Sequence, residues 1–367
     1  MESKAGASAV KFNSVQGDAS LDPAPRRIVV KEVNWLGDLV MSLPALRAIR
    51  RTWPDAHLAV VIKRELASFF AGASWIDEVI PYLVARGIAG LFDRRRIAAE
   101  IRSRRFDLGV AFPNSFDSAL WLAMAGVPRR AGFVADARGA MLTLKAAPSP
   151  EAMSAHQVNY WLAMVRATLG ANGNADEFAI EPAAKHRERM TEWLAANRKR
   201  PDAPLYAIAP AAAYGPAKEW QGFGPLIDLL AERDGAECVL IGAPSERAKC
   251  ATVAESSRAG AIVAAGHANV GESIALLSLC AGFIGNDSGA MHLAGALGIP
   301  TVAIFGSTNP SRTGPLGPRT RVIYRQLECS PCLARTCRFG HYNCLRQIAP
   351  AEVADAIRAL RAADSCR

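Results

Sequence analysis

The chain has 367 residues, 50% hydrophobic and 21% charged, with a net charge of +9. That length suffices for two domains of ordinary size, each with its own core. No apolar run approaches the ~20 residues that span a bilayer, and the first residues lack the apolar centre of a signal peptide. Eight cysteines without such a peptide predict a reducing, cytoplasmic compartment.

Residues 1–25, MESKAGASAVKFNSVQGDASLDPAP, are small, polar and aperiodic, and a disordered extension is expected there. A strand-like RIVVKEV (27–33) then leads into NWLGDLVMSLP (34–44), with a helical pattern from about Leu39. Such a junction normally offers free backbone N–H groups to an anion. Asp38 puts a negative charge in it, so Asp38 either caps the helix or does chemistry. HLAVVIK (57–63) and EVIPYL (78–83) read as strands around a helical RELASFFAG (64–72). The segment 85–106 holds seven arginines against two acids. It reads as a helix with a solvated basic face, or as an attraction for an anionic surface such as lipid head groups. DLGVAFP (107–113) is a strand and SFDSALWLAMAG (115–126) a helix. Between them, Asn114 and Ser115 either hydrogen-bond a polyhydroxylated ligand or cap the helix. Arg138, in FVADARGAMLT, is a candidate partner for an acidic acceptor or an ordinary turn arginine.

The stretch 146–204 is helix-rich, broken by Gly, Asn and Pro, and polar toward its end, which places a linker within 170–204. A second alternation follows. Its strands are LYAIAP (205–210), ECVLIGA (237–243), AIVAAG (261–266), GFIGND (282–287) and TVAIFG (301–306). Its helices are PLIDLLAER (225–233), SERAKCATVAES (245–256), VGESIALLSLC (270–280) and AMHLAGALG (290–298). The last helix starts at Pro350, with Val353, Ile357 and Leu360 on one stripe. Short non-alternating apolar strands fit parallel sheets covered on both faces, built from right-handed βαβ units. The expected organisation is an α/β protein with two doubly wound, Rossmann-like domains, 26–185 and 186–348, and a terminal helix within 349–367. Neither half carries G-x-G-x-x-G or a P-loop, which argues against ordinary dinucleotide binding.

GNDSGAMHLAGALGIPTVAIFG (285–306) carries the strongest chemical signal. Ser288 and Gly289 begin a helix, so their N–H groups and the helix dipole suit a phosphate. Asp287 stands where an N-cap would sit. His292, in the first turn, is either a structural histidine or part of the site. Lys218, in the loop APAAAYGPAKEWQGF (209–223) at a strand's carboxyl end, suits a diphosphate. Cys329, Cys332, Cys337 and Cys344 follow C-x2-C-x4-C-x6-C. Four thiols at that density suit a structural zinc or iron ion, although the spacing is not that of a standard zinc ribbon. Free thiols are the alternative, and His341 is a spare ligand. No nucleic-acid motif accompanies the basic charge, so no nucleic-acid partner is expected.

NWLGDLVMSLPALRAIR, PNSFDSAL, GFVADARGA, YGPAKEW and GNDSGAMHLAGALGIPTVAIFG together resemble the bacterial heptosyltransferases of the lipopolysaccharide inner core, glycosyltransferase family 9, most of all the heptosyltransferase II type. The motifs occur in the family's order over roughly 27–346, and the cysteine-rich stretch looks like a feature of a subset. The resemblance implies a GT-B fold with a cleft between the two domains. It implies inverting transfer of heptose from ADP-L-glycero-D-manno-heptose to a heptose on the lipid A–Kdo core, with no cofactor required for the chemistry. The first domain would bind the acceptor, through Asn114, Ser115 and Arg138. The second would bind ADP-heptose, through Lys218, Asp287, Ser288, Gly289 and His292. Asp38 aligns with the family's proposed base. The enzyme would be cytoplasmic, with transient contact at the inner-membrane surface. The chain contains no D-x-D, so metal-assisted departure of that kind is not expected. Rival readings are transfer to another core sugar or a protein, a sugar-nucleotide epimerase, and a metal-containing nucleic-acid-binding protein.

Overall fold

The computed structural model describes residues 21–85 and 87–363. The first twenty residues of the expected extension, Arg86 of the basic segment and Cys366 lie outside them. The last residues of the extension are placed against the body of the protein. Leu21 packs on the core and the Pro23 carbonyl accepts a 2.6 Å hydrogen bond from Arg129.

The first half contains β1 (Arg27–Lys31), α1 (Leu36–Thr52), β2 (His57–Lys63), β3 (Glu78–Tyr82), α2 (Ile88–Ser103), β4 (Leu108–Ala111), α3 (Phe116–Met124), β5 (Arg129–Phe133) and β6 (Leu144–Ala146). Helices α4 (Pro150–Ser154) and α5 (Gln157–Leu169) follow, and the chain crosses to α6 (Ala184–Asn197) over residues 170–183. The second half contains β7 (Leu205–Ala209), α7 (Phe223–Asp234), β8 (Glu237–Leu240), α8 (Arg247–Glu255), β9 (Ile262–Val263), α9 (Val270–Ser278), β10 (Gly282–Asn286) and α10 (Gly289–Ala296). It ends with β11 (Thr301–Phe305), α11 (Pro310–Thr313), β12 (Thr320–Tyr324), α12 (Asn343–Arg346) and α13 (Pro350–Ala362).

Each half holds one six-stranded sheet, and every strand pair is parallel. The first sheet runs β3-β2-β1-β4-β5-β6 and the second, read from one edge, β9-β8-β7-β10-β11-β12. Strand order therefore reverses direction between β1 and β4, and again between β7 and β10. Loops that leave the carboxyl ends of those strands diverge and open a crevice. The central strands are buried on both faces, as their continuous apolar runs require. One apolar cluster runs through both halves, from Val30 and Leu43 to Phe283 and Met291, so the two domains share a packed boundary.

Three strands have no counterpart in the sequence reading. β5 and β12 carry arginines, β6 is three residues long, and β6 and β12 are sheet edges, where one side is free to be polar. Residues Arg64–Gly72 form a 3-10 helix rather than an α-helix. α13 begins at Pro350 and buries Val353 and Ile357 against the second domain. Among the described residues, no helix is long and apolar enough to cross a membrane.

Candidate active site

α1 begins at Leu36, three residues earlier than its apolar pattern suggests, so Asp38 lies inside the first turn. The N-cap is Trp35, and no side chain caps the helix. Asp38 is therefore not a cap. Burial alone raises its pKa to about 6, with no hydrogen bond or ion pair to offset it. A carboxylate left in that state keeps its lone pairs for a ligand.

The matching turn in the second domain is built differently. α10 begins at Gly289 with Ser288 as N-cap, so Asp287 precedes the cap rather than forming it. One oxygen of Asp287 accepts from Lys218 Nζ and from Thr308 Oγ1, both at 2.5 Å. Asn286, fully buried, accepts from the Trp220 N–H at 3.1 Å and donates to the Pro210 carbonyl at 2.8 Å. These bonds tie the end of β10 to the loop after β7, where Lys218 ends a short 3-10 turn. The Lys218 ammonium also lies 4.9 Å from the centre of the Tyr214 ring. Ser288 Oγ is buried without a partner, beside the open N–H groups of α10. Asn286, Thr308 and Tyr214 were not singled out in the sequence. Their only signal is position, just beyond the carboxyl end of a strand.

The two turns touch. A Cβ added to Gly37 would lie 2.8 Å from His292 Cδ2, and one added to Gly289 would lie 2.8 Å from Leu36 Cβ. Each glycine lets the opposite helix start approach to that distance. His292 is buried in this seam, and desolvation lowers its pKa to about 4, so it is neutral. Its Nδ1 has no partner.

At the crevice edge of the first domain, the structure regroups the expected acceptor residues. Arg138 is fully buried. Its Nε donates to the Phe133 carbonyl at 2.8 Å, Nη2 to Asn114 Oδ1 at 3.2 Å, and Nη1 to Ser118 Oγ at 3.2 Å and to the Pro113 carbonyl. A guanidinium so enclosed does not meet an acidic acceptor; it holds the loop that carries Asn114. The Asn114 amide in turn donates to the Tyr160 hydroxyl at 2.7 Å. Ser115 is the exposed N-cap residue of α3, but its side chain makes no capping bond. It lines a cavity at the carboxyl end of the sheet.

The four clustered cysteines are free thiols. Burial, and then the Cys329, Cys332 and Cys337 sulfurs, raise the pKa of Cys344, which puts all four in one neighbourhood. Backbone N–H groups, that of Tyr342 foremost, lower the pKa of Cys337. Among the described residues, no group of three or more His, Cys, Asp or Glu side chains is placed to hold a metal. The expected four-thiolate set is thus not assembled in this geometry. The same loop braces the Lys218 turn. The Arg335 carbonyl accepts from the Ala217 N–H at 3.0 Å, and the Leu333 carbonyl from the Tyr214 hydroxyl at 2.5 Å.

Two doubly wound domains joined at paired helix starts, one with an unpaired carboxylate and one with a lysine beside an open helix N-terminus, define a GT-B type glycosyltransferase. The profile of glycosyltransferase family 9 (heptosyltransferase) matches residues 94–343, and the chain belongs to that family. It is 26% identical over 342 residues to lipopolysaccharide heptosyltransferase 2 of Escherichia coli, covering 91% of this chain and 98% of the relative. It is 27% identical over 354 residues to lipooligosaccharide heptosyltransferase 2 of Haemophilus ducreyi, covering 92% and 99%. The solved structure of E. coli ADP-heptose LPS heptosyltransferase II superposes with a TM-score of 0.79 at 23% identity, over 93% of this chain and 99% of that one.

Proposed function

We propose that the enzyme moves L-glycero-D-manno-heptose from ADP-heptose to the heptose of a lipopolysaccharide inner core, with inversion at the anomeric carbon. The observation that carries this reading is the seam itself. An unpaired, desolvated carboxylate sits in the first turn of a helix whose start packs on another, and the N–H groups and neighbouring lysine of that second start suit a diphosphate. Asp38 takes the proton of the acceptor hydroxyl as that oxygen bonds to the anomeric carbon. The bond from that carbon to the diphosphate oxygen breaks, and ADP leaves with the electron pair. Lys218 and the Ser288 and Gly289 N–H groups stabilise the charge that develops on the leaving oxygen. Asp287 spends one lone pair on Lys218, whose remaining N–H groups face the ligand. His292 and Asp287 lie on the donor-sugar side, Asn114 and Ser115 on the acceptor side. The chemistry needs no cofactor.

Product analysis with ADP-heptose and defined truncated core acceptors tests the reading. A new heptose–heptose linkage is expected. Epimerised donor formed without acceptor would replace transfer with epimerisation, and a product on another core sugar or a protein would move the acceptor assignment.

Two finer points belong to the same reading. The enzyme works at the cytoplasmic face of the inner membrane, touching it transiently. Exposed Phe92 among the arginines of α2, and exposed Leu83 shortly before that helix, support this. Co-sedimentation with anionic but not neutral vesicles is the expected result. The cysteine loop takes a structural zinc or iron ion, once its thiols rotate inward. Their common neighbourhood and the N–H groups aimed at Cys337 support this. Elemental analysis of protein purified without added metal should give about one ion per chain; a value near zero with four titratable thiols would end that point.

A further inference from the structure

A cavity of about 460 Å³ opens at the carboxyl edge of the first sheet, where strand order reverses between β1 and β4. The proton and leaving-group steps above do not use it, and of its lining only Ser115 has been placed on the acceptor side. Its floor is Lys31, the last residue of β1, 3% exposed. The Lys31 ammonium lies 4.8 Å from the centre of the Tyr82 ring and 5.5 Å from that of Trp121, and these two rings meet edge to face. It donates to the Glu32 carbonyl at 2.5 Å and to Asn34 Oδ1 at 3.3 Å. The Tyr82 hydroxyl donates to the same Asn34 oxygen at 2.6 Å. Two oxygens and two aromatic faces thus fix the amine, and a third N–H remains for a ligand.

The groups around the amine are charged in both signs, and most of the carboxylates are already engaged. Lys63, at the end of β2, lines the same cavity and pairs with Glu65 at 3.5 Å at its rim. Of the nearby acids, Asp117 is bound by Arg94 through Nε at 2.9 Å and Nη2 at 2.7 Å, and the buried Glu32 carboxylate, next in sequence, attracts the Lys31 ammonium. Ser115 and the first turn of α3, with its open N–H groups, close the opposite wall. Burial pushes the Lys31 pKa down to about 7. A lysine in this position is costly to an empty fold, and an apolar residue would fill the space at less cost. An anion would restore its full charge.

We propose that this cavity is an anion subsite of the acceptor side, where Lys31 and Lys63 hold a phosphate or carboxylate group carried by the acceptor saccharide. This rests on the reading that the first domain receives the acceptor. Asn34 connects the subsite to the reaction, since it bonds to Lys31 and lies on the loop that leads to Asp38. An acceptor anchored at Lys31 is held at the base of that loop.

Two measurements test it. In the first, lysine-side-chain NMR follows the Lys31 Cε signal during titration with inorganic phosphate. A saturable shift is expected, absent in Lys31→Met and weakened about tenfold in Lys63→Ala, the scale of one charge-assisted bond. In the second, transfer from ADP-heptose is measured with an intact acceptor, a phosphatase-treated one and a carboxyl-methylated one. The acceptor KM should rise about tenfold for one treated form, and that form names the anion. Lys31→Met should lose the preference while the donor KM stays within about twofold. Lys63→Ala, at a half-buried position on the cavity wall, gives the same readout if Lys31→Met does not fold. An unmoved Lys31 signal, or equal acceptor KM values for all three forms, overturns the subsite. Saturable phosphate binding at Lys31 without any heptose transfer keeps the anion site and removes the heptosyltransfer reading instead.

Discussion

The two helix starts at the seam have the same local recipe and opposite wiring. Each follows a parallel strand, carries an Asp within three residues of the helix start and a glycine that admits its neighbour. At α10 the Asp is tied to a lysine and a threonine. At α1 it is tied to nothing and loses water to burial. One aspartate is thereby part of a bonded cluster, and the other is left a free, desolvated carboxylate, the state a base requires. The residues that surround a carboxylate, rather than its place in a motif, decide its role.

The sharpest way to break this contrast is to neutralise the free member. Asp38→Asn should lower the transfer rate about 10²–10⁴-fold with donor KM little changed, the range for loss of a general base. In the wild type the rate should climb as pH rises through about 6, where the carboxylate ionises, and the variant should lose that limb. Stability should move the other way. The pKa of Asp38 is raised on folding, so its contribution to stability is complete below the ordinary carboxyl value of about 4 and is lost as pH rises through about 6. Asn removes that loss, and the variant should unfold with about 1–3 kcal/mol more stability at pH 7.5. A variant that is both active and less stable would erase the distinction between the turns.

Lys218→Ala attacks the tied member. It leaves Asp287 buried without its cation, so stability should fall by about 3 kcal/mol. Donor kcat/KM should fall about 10²–10³-fold. Lys218→Met with Asp287→Leu should recover stability in denaturant melts but not activity. Gly37→Ala changes neither carboxylate. Its Cβ would press on His292, and a loss of about 1–3 kcal/mol is expected. Calorimetry should show that loss with the Asp38 pH limb unmoved. Thr308→Val removes one bond to Asp287 and should cost about 1 kcal/mol, with donor KM raised less than about tenfold.

Much of the architecture is written in local pattern. Apolar runs such as HLAVVIK and TVAIFG become buried parallel strands because both faces must be covered, and the helices between them follow. β5, β6 and β12 escape that reading because arginines or shortness mask them. At the site, the sequence displays both Asp turns and Lys218, since strand–turn–helix junctions have compositional marks. It does not display the seam, because the glycine contacts link residues about 250 positions apart. It misplaces Arg138, because an arginine in a turn looks exposed until its carbonyl partners are known. Lys31 is hidden for the opposite reason: a charged residue at the end of a strand reads as a boundary, whereas the structure buries it.

The shared glycine seam also constrains how the molecule can move. α1 packs on α10, the 3-10 helix Arg64–Gly72 packs on α9, and Ser68 Oγ accepts the Gly271 N–H at 3.0 Å. Bodies joined along such a line can rock but not slide. Points on the pivot are displaced least and the rims most. Asp38 and the Gly289 turn lie along that line, so rocking about it would change their spacing less than the width of the rims.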